Sequence, residues 1–458
     1  MRVIHTDISI IGAGLTGLSL GYYLKKEGKD FRIVEKDDRI GGVINTCSEN
    51  GFVYESGPNT GVIATGELAE LFEDLDPLCK IEKANSSSKK RLIWKNGKWN
   101  PLPSGLISAL NTPLFSLKDK LRIAGEPFRR PGRDPDETVA RLVVRRLGKS
   151  YLDYAVDPFI RGIYAGDPGK LITRYSLPRL YNLEHRYGSF IRGAIRKKTE
   201  VKTETEKKAT REVFSAKGGL LNFVRALGKE AGESNILPGC PAVKIEKRDG
   251  EYVTYVTRRN GEKIKICSPR VVTTNPAPSL ESLLPFLPGD QLGALSDLRY
   301  APIILVVAGY GKWDGMPLDA FGGLVPSCEK RDMLGILFPS SIFKGRAPDE
   351  GALLSVFMGG INDQYLQGLP DEKLKEIAVN EIKVSLKTRR QPDLLLVFRY
   401  ENAIPQYEIS SKRRLAAISR IEKENPGLVI AGNIRDGIGM ADRVKQAKEV
   451  AGKLCGQS

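Results

Sequence analysis

The stretch from Asp7 to Gly42 constrains the fold of this chain more than any other. Asp7 to Ile11 is short, rich in β-branched residues and followed at once by glycine, the pattern of a buried parallel strand. Gly12-Ala13-Gly14-Leu15-Thr16-Gly17 comes next, Leu15 to Glu27 reads as a helix closed by Gly28, and Phe31 to Glu35 reads as a second strand. This is a βαβ unit of about thirty residues. The three glycines have separate duties. Gly12 permits the tight turn after the strand, Gly14 lets the backbone approach a pyrophosphate, and Gly17 lets the helix pack on the sheet. The helix N-terminus offers its unpaired N–H groups and positive dipole end to phosphates. Glu35 is placed to accept from ribose hydroxyls.

A second glycine pair decides which dinucleotide. Arg39-Ile40-Gly41-Gly42 lies just beyond the acid. NAD gives no reason for it, whereas FAD extends further and its flavin end has to be approached closely. The C-terminal run Ala431-Gly432-Asn433 to Asp436-Gly437-Ile438-Gly439-Met440 agrees, because it lies between a strand (Leu428 to Ala431) and a helix (Ala441 to Leu454). A glycine turn feeding a helix can aim that helix's N-terminus at the N1/C2=O edge of a flavin, where reduction places negative charge. The expected cofactor is FAD and the expected chemistry is redox.

Length and charge bound the rest. A chain of 458 residues exceeds one ordinary core, so two or three domains are expected. A net charge of +16 favours an anionic partner: nucleic acid, an anionic lipid surface or an acidic small molecule. No helix-turn-helix, zinc-finger or single-strand-binding signature supports nucleic acid. Cys47, Cys79, Cys240, Cys267, Cys328 and Cys455 include no Cys-x-x-Cys pair and read as reduced thiols. His5 and His185 are too few for a histidine-rich metal site, and no metal is expected. Ile8 to Ile11 is too short for a signal peptide, and Ile303 to Ala308 falls far below the ~20 residues of a spanning helix. The expectation is a cytoplasmic protein that, at most, lies on a membrane.

Between the dinucleotide segments the character changes. Pro101, Pro103, Pro113, Pro127, Pro131 and Pro135 punctuate a region where Leu106, Ile107, Leu110, Leu114, Phe115, Leu117, Leu121 and Ile123 mix with Lys118, Lys120, Arg122, Arg129 and Arg130. Asp136 to Leu147 reads as an amphipathic helix. Arg192 to Arg211 is cationic with almost no large apolar residues, and is expected to be a solvated mobile loop or a basic arm. Ala242 to Ile245, Tyr252 to Thr257 and Ile264 to Ile266 alternate like paired strands, with turns at Gly250 and Asn260-Gly261.

Further segments resemble one family. Phe159-Ile160-Arg161-Gly162-Ile163-Tyr164-Ala165-Gly166-Asp167-Pro168, Phe321 to Pro326, Leu334 to Ser341 with Lys344-Gly345-Arg346-Ala347-Pro348, and Ala403-Ile404-Pro405-Gln406-Tyr407 match, in order, segments of the protoporphyrinogen oxidase family of the FAD amine-oxidase superfamily. The resemblance covers nearly the whole chain. It implies an α/β fold (α+β overall): a Rossmann-like FAD-binding domain at 1–60, 210–298 and 426–458, a mixed-sheet substrate-binding domain at 61–90 and 299–425, and an inserted helical, membrane-associating domain at 91–209. It implies oxidation of protoporphyrinogen IX or coproporphyrinogen III to the porphyrin in haem biosynthesis, with dioxygen reoxidising FAD. Six hydrogens leave the macrocycle, two per flavin cycle, by hydride transfer to flavin N5. No catalytic side chain is required, and the protein's task is positioning.

The residues that the resemblance carries over to FAD are Gly12, Ala13, Gly14, Leu15, Thr16, Gly17, Glu35, Lys36, Arg39, Gly42, Val43, the turn Gly57-Pro58-Asn59-Thr60, Val243 beside the adenine, and Gly432, Ile438, Gly439 and Met440. For substrate it implies Arg91 as the partner of a propionate, Leu324, Leu334 and Phe357 lining an apolar slot, and the Gly166 backbone near the reacting bridge. Implied partners are an anionic membrane surface, a second copy of the chain, and ferrochelatase as recipient of the product. The competing readings are an amine oxidase, a carotenoid-type desaturase, and a non-catalytic flavin or porphyrin carrier. Amine oxidases usually frame the flavin with an aromatic pair near the C-terminal glycines, and none lies between Leu428 and Leu454.

Overall fold

A computed structural model of the chain describes residues 1–103, 108 and 111–456. Ile8–Ile11 is fully buried at the centre of a five-stranded parallel sheet. Phe31–Val34 and then Ile236–Leu237 lie on one side of it, Arg270–Thr273 and then Leu428–Ile430 on the other. Both faces are covered, which is why these strands read as apolar runs rather than alternations. Helices Leu15–Lys26, Leu221–Ala231 and Met440–Leu454 pack on one face around Ile8, Ile10, Leu18, Phe223 and Val444. On the other face Ile11, Val34 and Val271 share a core with Ile245 and Ile264. Those two belong to a four-stranded sheet of Arg2–His5, Lys263–Ser268, Glu251–Thr257 and Ala242–Arg248.

A seven-stranded sheet runs in the order Leu394–Pro405, Tyr300–Tyr310, Ala352–Gly359, Gly335–Leu337, Gly322–Leu324, Arg91–Lys95, Lys98–Pro101. The period of two sorts its side chains. Ile304, Val306, Ile336 and Val356 pack on helix Asp371–Leu386 through Leu374, Ala378 and Ile382. Leu305, Val307 and Leu353 project to the opposite face, where Phe52 and Tyr54 of the hairpin Thr46–Glu49/Phe52–Glu55 meet them.

The structure departs from the expected boundaries in two places. Residues 91–101 were expected in the helical insertion, but they are the last two strands of the seven-stranded sheet. The short apolar run Leu92-Ile93-Trp94 is a buried-strand signal that the neighbouring prolines mask. Within 61–90, helix Gly66–Asp74 buries Leu68, Leu71 and Phe72 in the core around the parallel sheet, where Phe72 stacks on Phe223 at 4.5 Å.

Helices Leu117–Ala124, Val139–Arg146, Asp157–Tyr164, Pro178–Tyr187 and Phe190–Thr199 follow. Arg146 and Glu126 form a fully buried ion pair there. Glu126 also accepts from Ser189 Oγ and from the backbone N–H of Phe190 (3.0 Å) and Ile191 (3.2 Å). The carboxylate thus caps the helix Phe190–Thr199, and the tract beginning at Arg192 is helical to Thr199 rather than a loop. A second short helix, Glu204–Lys207, carries a capping box from Thr203. Leu106, Ile107 and Leu110 lie outside the described residues. Among the described residues no helix is long and apolar enough to cross a membrane.

Candidate active site

Three glycine turns interlock at the head of helix Leu15–Lys26. Gly12 has φ +104° and donates its N–H to the Val34 carbonyl at 2.8 Å. A Cβ on Gly17 would lie 1.9 Å from the Gly12 carbonyl oxygen, so only glycine fits. A Cβ on Gly14, the helix N-cap, would meet nothing within 4 Å. Gly41 donates its N–H to Ala13 O at 2.8 Å, bringing Gly42 (φ +58°) against Gly14. A Cβ on Gly57 would lie 1.9 Å from the Val43 carbonyl. Leu15 and Thr16 are buried beneath this junction, while Lys36 and Val43 are exposed at its rim.

The Glu35 carboxylate spans the mouth of the first turn. Oε2 accepts from Ala13 N–H at 2.7 Å and Oε1 from Asp37 N–H at 3.0 Å, which leaves lone pairs on both oxygens. Arg39 donates to the carbonyls of Gly42 (2.7 Å) and Ile44 (3.1 Å), so it fixes the second turn. Val243 is half-buried against the cluster containing Ile11 and Val34, which flank Gly12 and Glu35. Asn59 Nδ2 donates to Gly57 O (3.0 Å), while Ser355 Oγ donates to Asn59 Oδ1 (2.7 Å). The turn Gly57 to Thr60, with Pro58 and Thr60 half-buried, is thereby tied to the seven-stranded sheet.

The middle of the C-terminal turn is held through its carbonyls, and its two end glycines through their N–H groups. Tyr407 donates its hydroxyl to Asn433 O (2.8 Å) and Gly437 O (3.0 Å). Arg414 Nε donates to Ile434 O (3.1 Å), and Arg443 Nη2 to the carbonyls of Arg435, Asp436 and Gly437 at 2.9 Å each. Gly432 N–H donates to Gln446 Oε1 (2.8 Å), and Gly439 N–H to Asp442 Oδ2 (3.0 Å). The N–H groups of Ile438 and Met440 make no hydrogen bond among the described residues. Turns with free donors at two helix heads fit an elongated anionic cofactor such as FAD.

The face of the seven-stranded sheet opposite helix Asp371–Leu386 carries the apolar positions. Phe398, Leu305, Phe357, Gly335, Leu324 and Ile93 stand opposite one another on consecutive strands. Phe357 and Leu324 are half-buried, and Gly335 between them has no side chain. Leu334 is buried with Ala165, Ile303 and Ile361, against Phe357. Arg91 pairs in register with Gly322, shares the face of Ile93 and is exposed, its guanidinium 5.4 Å from the Phe321 ring.

Gly166 does not open onto this face. It is buried, and a Cβ there would meet Gln406 Oε1 at 2.3 Å and Leu171 at 3.2 Å. Gly162 is the glycine of that segment that is exposed, and a Cβ on it would meet Leu324 at 2.4 Å. Helix Asp157–Tyr164 ends at Ala165 in the left-handed conformation (φ 47°), which turns Gly166 away. Sequence reasoning also missed Arg414 and Arg443, which look like ordinary helix-surface cations. It missed Glu55 as well, a carboxyl that accepts from Leu220 N–H (2.9 Å) and Thr46 Oγ1 (2.8 Å) and that burial pushes up to about 7.

Fold and site define a flavin-dependent oxidoreductase. Residues 15–454 match the family described as flavin containing amine oxidoreductase, and the chain belongs to it. Within it, the similarity runs to porphyrinogen oxidases. The chain is 28% identical to protoporphyrinogen oxidase 2, chloroplastic/mitochondrial, of Arabidopsis thaliana, over 97% of this chain and 92% of that one. It is 30% identical to the mitochondrial protoporphyrinogen oxidase of Nicotiana tabacum, over 94% and 91%. It is 24% identical to coproporphyrinogen III oxidase of Bacillus subtilis, over 96% of each. A crystal structure from Exiguobacterium sp., of a protein provisionally named protoporphyrinogen oxidase, superposes with a TM-score of 0.82 at 22% identity, over 99% of each chain. FAD is the cofactor, and the interlocked glycine turns, Glu35 and the C-terminal turn are the residues that fit it.

Proposed function

We propose that this chain oxidises a porphyrinogen to the porphyrin in haem biosynthesis, with dioxygen as final acceptor. The carrying observation is that exposed Arg91 shares one sheet face with Leu324 and Phe357, the face to which Asn59 is bonded. A cation at the rim of an apolar floor suits an apolar macrocycle with carboxylate tails.

FAD, when bound, supplies a two-electron hydride acceptor. Arg91 takes a propionate in its fork, a pairing that strengthens as water leaves. Leu324, Leu334 and Phe357 exclude water from the macrocycle, and Gly162 admits it closely. No side chain has to hold a proton, because the pyrrole N–H protons depart to solvent. The two histidines accord with this: His5 lies in a strand of the four-stranded sheet and His185 stacks on Tyr181 at 5.2 Å. Catalysis is then mainly orientation, which can supply about 7–11 kcal/mol.

Protoporphyrinogen IX and coproporphyrinogen III share the ring and differ in carboxylate number, so both belong to the proposal. So does a peripheral position on an anionic membrane, from which a greasy substrate is taken. The test is aerobic incubation of the purified yellow protein with each porphyrinogen, following porphyrin fluorescence and peroxide together. Fluorescence and peroxide rising above the spontaneous rate with one of the two is the expected result. No rise with either would end the proposal.

A further inference from the structure

Arg414 is a buried cation with no counter-charge. It lies on helix Ser411–Glu424 and is 1% exposed. Nε donates to Ile434 O at 3.1 Å and Nη2 to Ser411 Oγ at 3.0 Å, while Nη1 has no partner among the described residues. It forms no ion pair among the described residues; the ionisable groups that face it are the phenols of Tyr407, Tyr300 and Tyr175. Its guanidinium stands 5.5 Å from the Tyr407 ring. Burying an unpaired charge is costly. Its two hydrogen bonds and the Tyr407 ring contact supply no opposite charge that would account for it.

Its position does. The five consecutive carbonyls from Asn433 to Gly437 all point to buried donors: Tyr407, Arg414 and Arg443. The negative ends of the turn's peptide dipoles therefore face the arginines. The opposite, N–H side leads to Ile438 and the head of helix Met440–Leu454. Arg443 has Asp436 and Asp442 close by and bonds Gln446 at 2.8 Å. Arg414 has no acid beside it among the described residues, so its charge is the uncompensated one behind the turn.

We propose that Arg414 is an electrostatic positioning residue for the flavin: its unpaired charge behind the turn from Gly432 to Gly439 favours the electron-rich form of the bound ring. In hydride transfer the substrate C–H bond breaks, its hydrogen and electron pair form the N5–H bond, and the ring acquires one net negative charge. A fixed positive charge nearby offsets that change. The inference rests on bound FAD and not on the identity of the substrate.

The test uses no porphyrinogen. Sulfite adds to N5 of an oxidised flavin and leaves the same negative charge on the ring, so its Kd, read from bleaching of the yellow band, reports the field. The midpoint potential reports it independently. Arg414→Met and Arg414→Lys are purified as holoproteins beside the parent. Arg414→Met is expected to bind sulfite at least tenfold more weakly and to show a lower potential, with an apoprotein melting temperature equal to or above the parent's. Arg414→Lys is expected to keep both flavin values near the parent's. Should Arg414→Met not retain FAD, Arg414→Gln takes its place with the same expectation. A parental sulfite Kd and potential in whichever neutral variant retains FAD would overturn the proposal. So would unfolding of the apoprotein in both neutral variants, since that makes the guanidinium a strut. A failed porphyrinogen assay beside a shifted sulfite Kd would remove the substrate reading and leave this one standing.

Discussion

At the scale of single residues, the site is built by what glycine lacks, and two glycines three residues apart, Gly14 and Gly17, show it. Gly17 faces the Gly12 carbonyl, where a Cβ would sit 1.9 Å from oxygen, whereas a Cβ on Gly14 would meet open space. Gly17→Ala therefore has to move backbone against sheet, and is expected to lower the apoprotein melting temperature and abolish FAD retention. Gly14→Ala, at a residue with φ −73°, is expected to leave apoprotein stability within about 1 kcal/mol of the parent. It should still weaken FAD, because the methyl occupies the pyrophosphate's approach. Thermal melts of the apoproteins and FAD titrations check both; equal FAD affinity in Gly14→Ala and the parent would contradict the assignment. Arg91 makes the complementary case. It is exposed, and its one ring contact among the described residues is Phe321, so Arg91→Ala should raise KM for a porphyrinogen about tenfold or more, as loss of a charge-assisted bond does. The flavin spectrum should not change, and loss of FAD in this variant would make Arg91 structural.

At the scale of elements, Glu55 joins the hairpin Phe52–Glu55 to the helix Leu221–Ala231 and makes that junction sensitive to pH. Its carboxyl accepts from Leu220 N–H, and Thr46 Oγ1, to which it also binds, accepts from Leu221 N–H at 2.9 Å. Burial dominates over these donors and raises the folded pKa from 4.5 to about 7. Between those values the native state binds more protons than the unfolded chain, so stability falls as pH rises from about 4.5 to about 7, by roughly 3 kcal/mol from this group. Glu55→Gln keeps an acceptor without the charge. It is expected to flatten that slope and to be more stable than the parent at pH 8; an unchanged slope in denaturant melts across this range would refute the role. The same junction shows what the sequence could express. The strand Ile8–Ile11, the glycine turns and the hairpins from Ala242 to Ser268 were legible because a local pattern specifies each one. Glu55 and Glu126 were not, because their partners lie at Leu220 and at Ser189 to Ile191, and only the tertiary fold brings them together. The helix Phe190–Thr199 was hidden because its own composition argues for solvent, although Ser189 caps it locally through Arg192 N–H (3.2 Å); the further acceptors for Phe190 and Ile191 come from Glu126, sixty-odd residues earlier in the chain. Gly166 was carried over from the matching family segment, and that segment does not express the left-handed residue at Ala165 that turns Gly166 toward Gln406 and Leu171.

At the scale of the whole molecule, the net charge of +16 needs a surface on which to act, and the helical segment offers one. Leu117 (72% exposed), Leu121 (66%), Phe128 (83%) and Ile195 (62%) project from helices Leu117–Ala124 and Phe190–Thr199 and from the turn between Ala124 and Arg129. Cations are woven through them: Arg192 stands 5.8 Å from the Phe128 ring, and Arg122 donates to Val144 O at 3.1 Å. Arg196, Lys197 and Lys198 close the last turn beside Ile195. Apolar side chains rimmed by cations suit the interface of an anionic bilayer, where each basic residue near the surface adds about 1 kcal/mol. If this patch is the docking surface in the proposal above, the holoprotein will co-sediment with vesicles containing phosphatidylglycerol and not with neutral ones. Raising salt from about 0.1 M to about 1 M shortens the screening length from about 10 Å to about 3 Å and should release most of it. Leu121→Glu with Phe128→Glu should release it at low salt too, with the yellow spectrum and melting temperature intact, since both side chains are exposed. Binding of this double variant equal to the parent's would place docking on another face, and failure of the parent to bind anionic vesicles would remove the membrane from the proposal while leaving the chemistry of the sheet face untouched.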